Sequence, residues 1–261
     1  MADAASKAEL AARALALVDL TNLNDGCTAA DIDALCARAV TGHGHVAAVC
    51  VYPAFVAQAK AKLAGTPVKV ATVVNFPAGG VDTRAVVEET AKAIADGADE
   101  IDLVMPYRAF MEGRRGFAEE MIIRVKAAIP APAQLKVILE TGEIGDPLLI
   151  HQASLVAIAA GADFIKTSTG KVKVNATLEA AEIMLTVIDE VRTEQPGRQV
   201  GFKPAGGIRT LDEAAAYLAL ADRILGPNWV SSATFRFGAS GLLDALIDVI
   251  KGGAGSAREG Y

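Results

Sequence analysis

Short apolar runs alternate with longer amphipathic stretches along nearly the whole chain. The clearest runs are 46–51 (VAAVCV), 68–74 (VKVATVV), 99–104 (DEIDLV) and 134–140 (QLKVILE). Others follow at 163–168 (DFIKTS), 199–203 (QVGFK) and 234–238 (TFRFG), with a weaker one at 18–21 (VDLT). They are short, rich in β-branched residues and continuously apolar rather than alternating, the pattern of parallel strands covered on both faces. Helical spacing fills the gaps. Val86, Val87, Ala91 and Ile94 fall on one face of 82–95, and 146–160 opens with Asp-Pro, an N-cap followed by proline in the first turn. The segment 210–225 opens T-L-D-E, the spacing of a capping box, and Gly97 and Gly161 read as helix stops that feed the next strand.

About eight βα units follow an extra N-terminal helix around 6–17, with no sign of an antiparallel hairpin. Eight such units in some 250 residues predict an α/β fold, a (β/α)8 TIM barrel, forming one domain over 1–261. Residues 252–261 (GGAGSAREGY) read as a flexible tail.

Composition narrows the function. Of 261 residues, 52% are hydrophobic and 21% charged, which is globular, and the net charge of −6 disfavours a nucleic-acid surface. No apolar run reaches the roughly 18 residues of a membrane span, and the N-terminus lacks a signal-peptide pattern. Cys27, Cys36 and Cys50 are odd in number with no C-x-x-C, so a disulfide framework or zinc knuckle is not expected. The expectation is a reduced, cytoplasmic protein. His43 and His45 precede the second strand, at the wrong end of a barrel for chemistry, and no metal site is read from the sequence.

Barrel active sites lie at the C-terminal strand ends. Asp102 lies within one strand, Lys136 and Glu140 share a face of another by alternation, and Lys166 and Lys203 end two consecutive strands. A lysine inside an apolar strand is costly unless paired or used. Two on neighbouring strands, about 4.8 Å apart, bring their ammonium groups close, and a cationic neighbour with partial desolvation frees a neutral amine. The pair therefore points to Schiff-base chemistry, one lysine as nucleophile and the other as its activator, with Asp102 as acid or base. Three Gly-rich loops follow the sixth, seventh and eighth strands: 167–171 (TSTGK), 204–209 (PAGGIR) and 237–241 (FGASG). Exposed backbone N–H groups and a helix N-terminus suit them to a phosphate.

The segments DLTNLN (19–24), CVYP (50–53), DLVMPYRA (102–109), KVILETGE (136–143), FIKTSTGKVKVNAT (164–177), GFKPAGGIRT (201–210) and RFGAS (236–240) together resemble the bacterial class I 2-deoxyribose-5-phosphate aldolases, in order and at the expected spacing. The resemblance implies a lyase that reversibly cleaves 2-deoxy-D-ribose 5-phosphate to acetaldehyde and D-glyceraldehyde 3-phosphate, without metal or cofactor. It implies Lys166 as the Schiff-base lysine, Lys203 as the neighbour that lowers its pKa and Asp102 as the acid/base group. Lys136 matches a polar network, and Thr21, Leu23 and Cys50 match the sugar end of the pocket. Thr167, Gly170, Lys171, Gly206, Gly207, Arg209, Gly238 and Ser240 match the substrate and phosphate contacts, and Tyr261 a tail tyrosine that assists proton transfer. Dimers occur in the family, so a homodimer is the corresponding expectation. One departure stands out: where many members have a second serine after F-G-A-S, this chain has Gly241. Two alternatives share the same features, a lysine aldolase with another aldehyde pair and a catalytically silent phosphosugar-binding barrel. A binder has no use for a costly buried lysine.

Overall fold

Runs of Val, Ile and Leu with no polar face have to be covered on both sides, and they are. In the computed structural model, which describes residues 2–255, eight parallel strands are each followed by helical segments packed outside them. The strands are β1 Val18–Asn22, β2 Ala48–Val51, β3 Lys69–Val74, β4 Glu100–Val104, β5 Gln134–Ile138, β6 Phe164–Lys166, β7 Gly201–Lys203 and β8 Phe237–Ala239. They pair in chain order from β1 to β7, and β8 pairs with β1. The remaining seam, β7 to β8, is closed by isolated parallel bridges, Phe202 with Phe235 and Ala205 with Gly238. One connected hydrophobic cluster runs through these strands and the faces of the helices on them.

Local signals fix the helix ends. Thr210 caps α3 (Leu211–Leu225) in a capping box with Glu213, and Asp146 caps α2 (Pro147–Ala159) ahead of Pro147. Gly97 and Gly161 both have φ +103, the reversal expected where a helix hands over to a strand. The N-terminal helix α1 (Ala2–Leu15) packs against α3 and α4 (Leu242–Ile250), and Arg13 pairs with Asp222 at 2.8 Å.

Three details differ from expectation. A two-residue ribbon, Val40–Thr41 with Gly44–His45, is antiparallel and carries His45, with His43 in its turn. The last strand is Phe237–Ala239 rather than 234–238, because Thr234 is drawn into a turn by hydrogen bonds with Trp229 and Ser231. The start of the expected tail is tied down: Gly253 N–H donates to the Asp248 carbonyl (2.9 Å) and Gly255 N–H to the Asp248 carboxylate (2.8 Å). Tyr261 and the rest of the tail from Ser256 lie outside the described residues. No helix among the described residues is long and apolar enough to cross a membrane.

Candidate active site

Alternation along a strand sends every second side chain into the barrel, and several of those inward positions are ionisable. Glu100 and Asp102, two apart in β4, both meet Lys136 of β5, whose Nζ donates to Glu100 Oε2 (2.5 Å) and Asp102 Oδ1 (2.9 Å). Lys166 at the end of β6 donates to Asp102 Oδ2 at 2.8 Å. Lys203, its register partner in β7, donates to the same oxygen at 2.8 Å and to Asp19 Oδ2 of β1 at 2.5 Å. Arg236, just ahead of β8, completes the set with Nη1 to Asp19 Oδ1 and Nη2 to Glu100 Oε1, both 2.7 Å. All seven side chains are buried.

Charges at this depth persist only when paired. The set holds four cationic side chains, Lys136, Lys166, Lys203 and Arg236, against three carboxylates, Asp19, Glu100 and Asp102. One proton is therefore in surplus. Lys136 and Lys203 each donate to two carboxylates, whereas Lys166 has one and shares its oxygen with Lys203. Burial pushes the Lys166 pKa down and outweighs the pull of Asp102, with Lys203 adding to the lowering. For Lys203 burial acts the same way, but Asp102 and Asp19 overcome it and raise the pKa; Asp102 and Glu100 do so for Lys136. Burial pushes Asp102 up, yet Lys136, Lys166 and Lys203 together hold it well below the usual carboxylate range. Of the three lysines, Lys166 is the one whose pKa is lowered.

Lys166 is also the member of this set that lines the cleft at the C-terminal strand ends. Thr21 and Leu23 form one wall; Gly170, Gly206, Gly207, Arg209, Gly238 and Ser240 contribute to the others. Gly170, Gly206 and Gly207 have φ between +83 and +85, so their loops turn in a conformation that favours glycine. Gly238 is required for a different reason: a Cβ there would lie 2.7 Å from Ala205 Cβ and 3.1 Å from Lys203 Cε, displacing the lysine stem.

The other expected site residues fall outside the cleft walls. Asp102 and Lys136 lie two register positions deeper than Lys166, and Lys203 lies level with it, off the cleft wall. Cys50 is fully buried within the electrostatic reach of Lys203, Asp102 and Lys166, and burial pushes its thiol pKa up. The Thr167 hydroxyl accepts the Ala205 N–H at 3.0 Å, tying β6 to β7. Lys171 Nζ lies 3.4 Å from Asp25 Oδ1. Thr169, two residues beyond Thr167, does line the cleft. Glu140 leaves the pattern it was expected to share with Lys136: β5 ends at Ile138, Glu140 has φ +61, and its Oε1 accepts the Thr169 N–H at 3.1 Å. Asp19, Glu100 and Arg236 were not singled out in the sequence. Their signal was an ionisable residue inside an apolar run, the same one that marked the lysines.

A parallel (β/α)8 barrel with a lysine of lowered pKa opening on a glycine-walled cleft is the equipment of an aldolase, a carbon–carbon lyase that works through an amine. The model of the DeoC/LacD family aldolases matches residues 13–246. The chain belongs to that family. The deoxyribose-phosphate aldolase of Agrobacterium fabrum is 56% identical over 255 residues, covering 97% of this chain and 96% of its own length. A crystal structure assigned as a deoxyribose-phosphate aldolase from Toxoplasma gondii superposes with a TM-score of 0.85 at 29% identity, over 95% of this chain and 97% of that one. At 22% identity the tetrameric deoxyribose phosphate aldolase of Aeropyrum pernix shares the fold, with a TM-score of 0.72 over 94% and 92% of the two chains.

Proposed function

We propose that this aldolase reversibly cleaves 2-deoxy-D-ribose 5-phosphate to acetaldehyde and D-glyceraldehyde 3-phosphate, with Lys166 forming the Schiff base. The observation that carries the chemical reading is the charge count: four buried cations on three carboxylates, with Lys166 the least compensated and the one facing the cleft. The substrate is taken from the relative that is 56% identical over nearly its whole length.

In the cleavage direction the neutral amine of Lys166 adds to the C1 aldehyde of the open-chain sugar, and loss of water gives an iminium. Its positive nitrogen draws the electrons of the C2–C3 bond as the C3 hydroxyl loses its proton. Glyceraldehyde 3-phosphate leaves and an enamine remains. Protonation of the enamine carbon and hydrolysis release acetaldehyde and restore the amine. Asp102 is held as a carboxylate, so it serves as acceptor and relay, while the protons to be donated reside on Lys136 and Lys203. The phosphate is received by the backbone of the loops bearing Gly170, Gly206, Gly207, Gly238 and Ser240, by Arg209 and by the N-terminus of α4.

The finer setting is also inferred. Cys27, Cys36 and Cys50 are free thiols, which suits a reducing cytoplasm. A homodimer follows from the family likeness, and light scattering of the purified protein distinguishes it from a monomer or tetramer. The function is tested by incubating the protein with acetaldehyde, reducing with borohydride and mapping the adduct by peptide mass spectrometry. An ethyl group on Lys166, together with cleavage of deoxyribose 5-phosphate, is expected. Binding of the sugar phosphate with neither adduct nor turnover would identify a silent binder instead.

A further inference from the structure

Two residues beyond β5, Glu140 holds a left-handed backbone, φ +61 and ψ +56, which a non-glycine residue adopts seldom and at a cost. Its carboxyl is fully buried, with Oε1 accepting the Thr169 N–H at 3.1 Å and Oε2 without a protein partner. It makes no hydrogen bond to the buried charge set, although Lys166 lies within its electrostatic reach. A strained backbone and a buried acid at one residue call for a compensating role.

The surroundings say where to look. Leu139 N–H donates to the Lys166 carbonyl and Thr141 N–H to the Thr167 carbonyl, both at 2.9 Å, so residues 139–141 run beside 166–169. At Gly142 a Cβ would fall 1.9 Å from the Val174 carbonyl oxygen, so this turn also presses on the far end of the same loop. On the opposite side Ala176 N–H bonds the Ala205 carbonyl at 3.2 Å and the Thr167 hydroxyl holds Ala205 N–H. The loop after Lys166 is thus gripped at both ends and from both neighbouring strands. At its middle, where Thr169 and Gly170 face the cleft, the grip comes from the Glu140 carboxyl.

We propose that Glu140 is a positioning residue for the phosphorylated end of the substrate: its buried carboxyl fixes Thr169, and with it the Thr169–Gly170–Lys171 backbone that meets the anion. This rests on the reading of the cleft as a phosphosugar site. Without an acceptor at Oε1, the Thr169 N–H is left buried and unpaired, and the segment must turn to find one. Glutamine keeps that acceptor; alanine and glycine do not. Glycine in addition removes the backbone cost of the left-handed conformation, so it separates the hydrogen bond from the stability of the turn.

The test compares wild type with Glu140→Gln, Glu140→Ala and Glu140→Gly on deoxyribose 5-phosphate and on unphosphorylated deoxyribose, with melting temperature recorded for each. Binding of inorganic phosphate is measured in parallel by calorimetry. Expected for Ala and Gly is a KM for the phosphorylated sugar raised about tenfold, equally weakened phosphate binding, and little change in kcat or in KM for the unphosphorylated sugar. Gln restores wild-type values, and Gly shows the KM defect without loss of melting temperature. An unchanged KM in Glu140→Ala, or an equal loss on both sugars, overturns the proposal. A wild type that cleaves neither sugar refutes the aldolase reading instead, and the phosphate titration still decides this one.

Discussion

Lys166 and Lys203 are register partners on adjacent strands, and their ammonium nitrogens lie at the same distance, 2.8 Å, from a single oxygen of Asp102. Identical residues at identical depth thereby acquire opposite properties. Lys203 donates to a second carboxylate, Asp19, and its pKa is raised; Lys166 hydrogen-bonds to no second carboxylate among the described residues and faces the cleft.

Because burial lowers the Lys166 pKa below the 10.5 of an exposed lysine, kcat/KM should reach its plateau at a pH where an ordinary lysine is still protonated. Activity falls as the pH drops and Lys166 takes up its proton. Lys166→Met should lose on the order of 10^4-fold or more in kcat with the melting temperature kept, since it removes the surplus cation. A residual rate near wild type would place the nucleophile elsewhere.

Lys203→Leu leaves three cations on three carboxylates, so the set is balanced only when Lys166 is protonated. The acid limb of kcat/KM against pH should move to higher pH, with roughly 10^2- to 10^3-fold lost at pH 7. If the rate falls but the limb stays in place, Lys203 does not act through the amine.

Arg236 is the partner Asp19 and Glu100 share. Arg236→Met leaves two buried carboxylates short of a partner and should destabilise the fold by roughly 3–5 kcal/mol in urea titration. Replacing Glu100 with leucine in the same chain should recover part of that loss, a coupling that independent sites would not show.

Asp19 and Asp102 are both held below the usual carboxylate range: burial opposes ionisation, but the surrounding cations outweigh it. Folded-state values below the unfolded ones mean that their contribution to stability is complete above about pH 4 and is lost as pH falls through the folded values. The urea midpoint should therefore fall steeply only on the acid side of pH 4, and Asp102→Asn should flatten that fall.

Gly241 precedes α4 with φ −98 and ψ −14, a conformation open to any residue. Gly241→Ser should therefore be accepted without strain and add a hydroxyl at the phosphate loops. The KM for deoxyribose 5-phosphate should drop about three- to tenfold. An unchanged or higher KM counts against that placement.

The strands were legible because doubly covered strands are apolar throughout, and the lysines because each interrupts such a run. What was hidden depended on the chain meeting itself. Arg236 and Asp19 are 217 positions apart, and nothing local to either names the other. Alternation places Glu140 beside Lys136 only if β5 continues, whereas Glu140 turns left-handed. Hydropathy starts the last strand too soon because Phe235 is fully buried, and it does not separate a buried turn from a strand.

The ladder at the seam between β7 and β8 is broken at Pro204, which has no N–H to donate. The N–H groups of Phe202, Arg236, Gly238 and Gly206 still cross it, the last reaching the Gly238 carbonyl at 3.2 Å. Both loops hung from that seam are cleft walls. Amide exchange should therefore begin along the seam and slow when an anion spans the two loops, so that the substrate acts as the missing rung of the barrel.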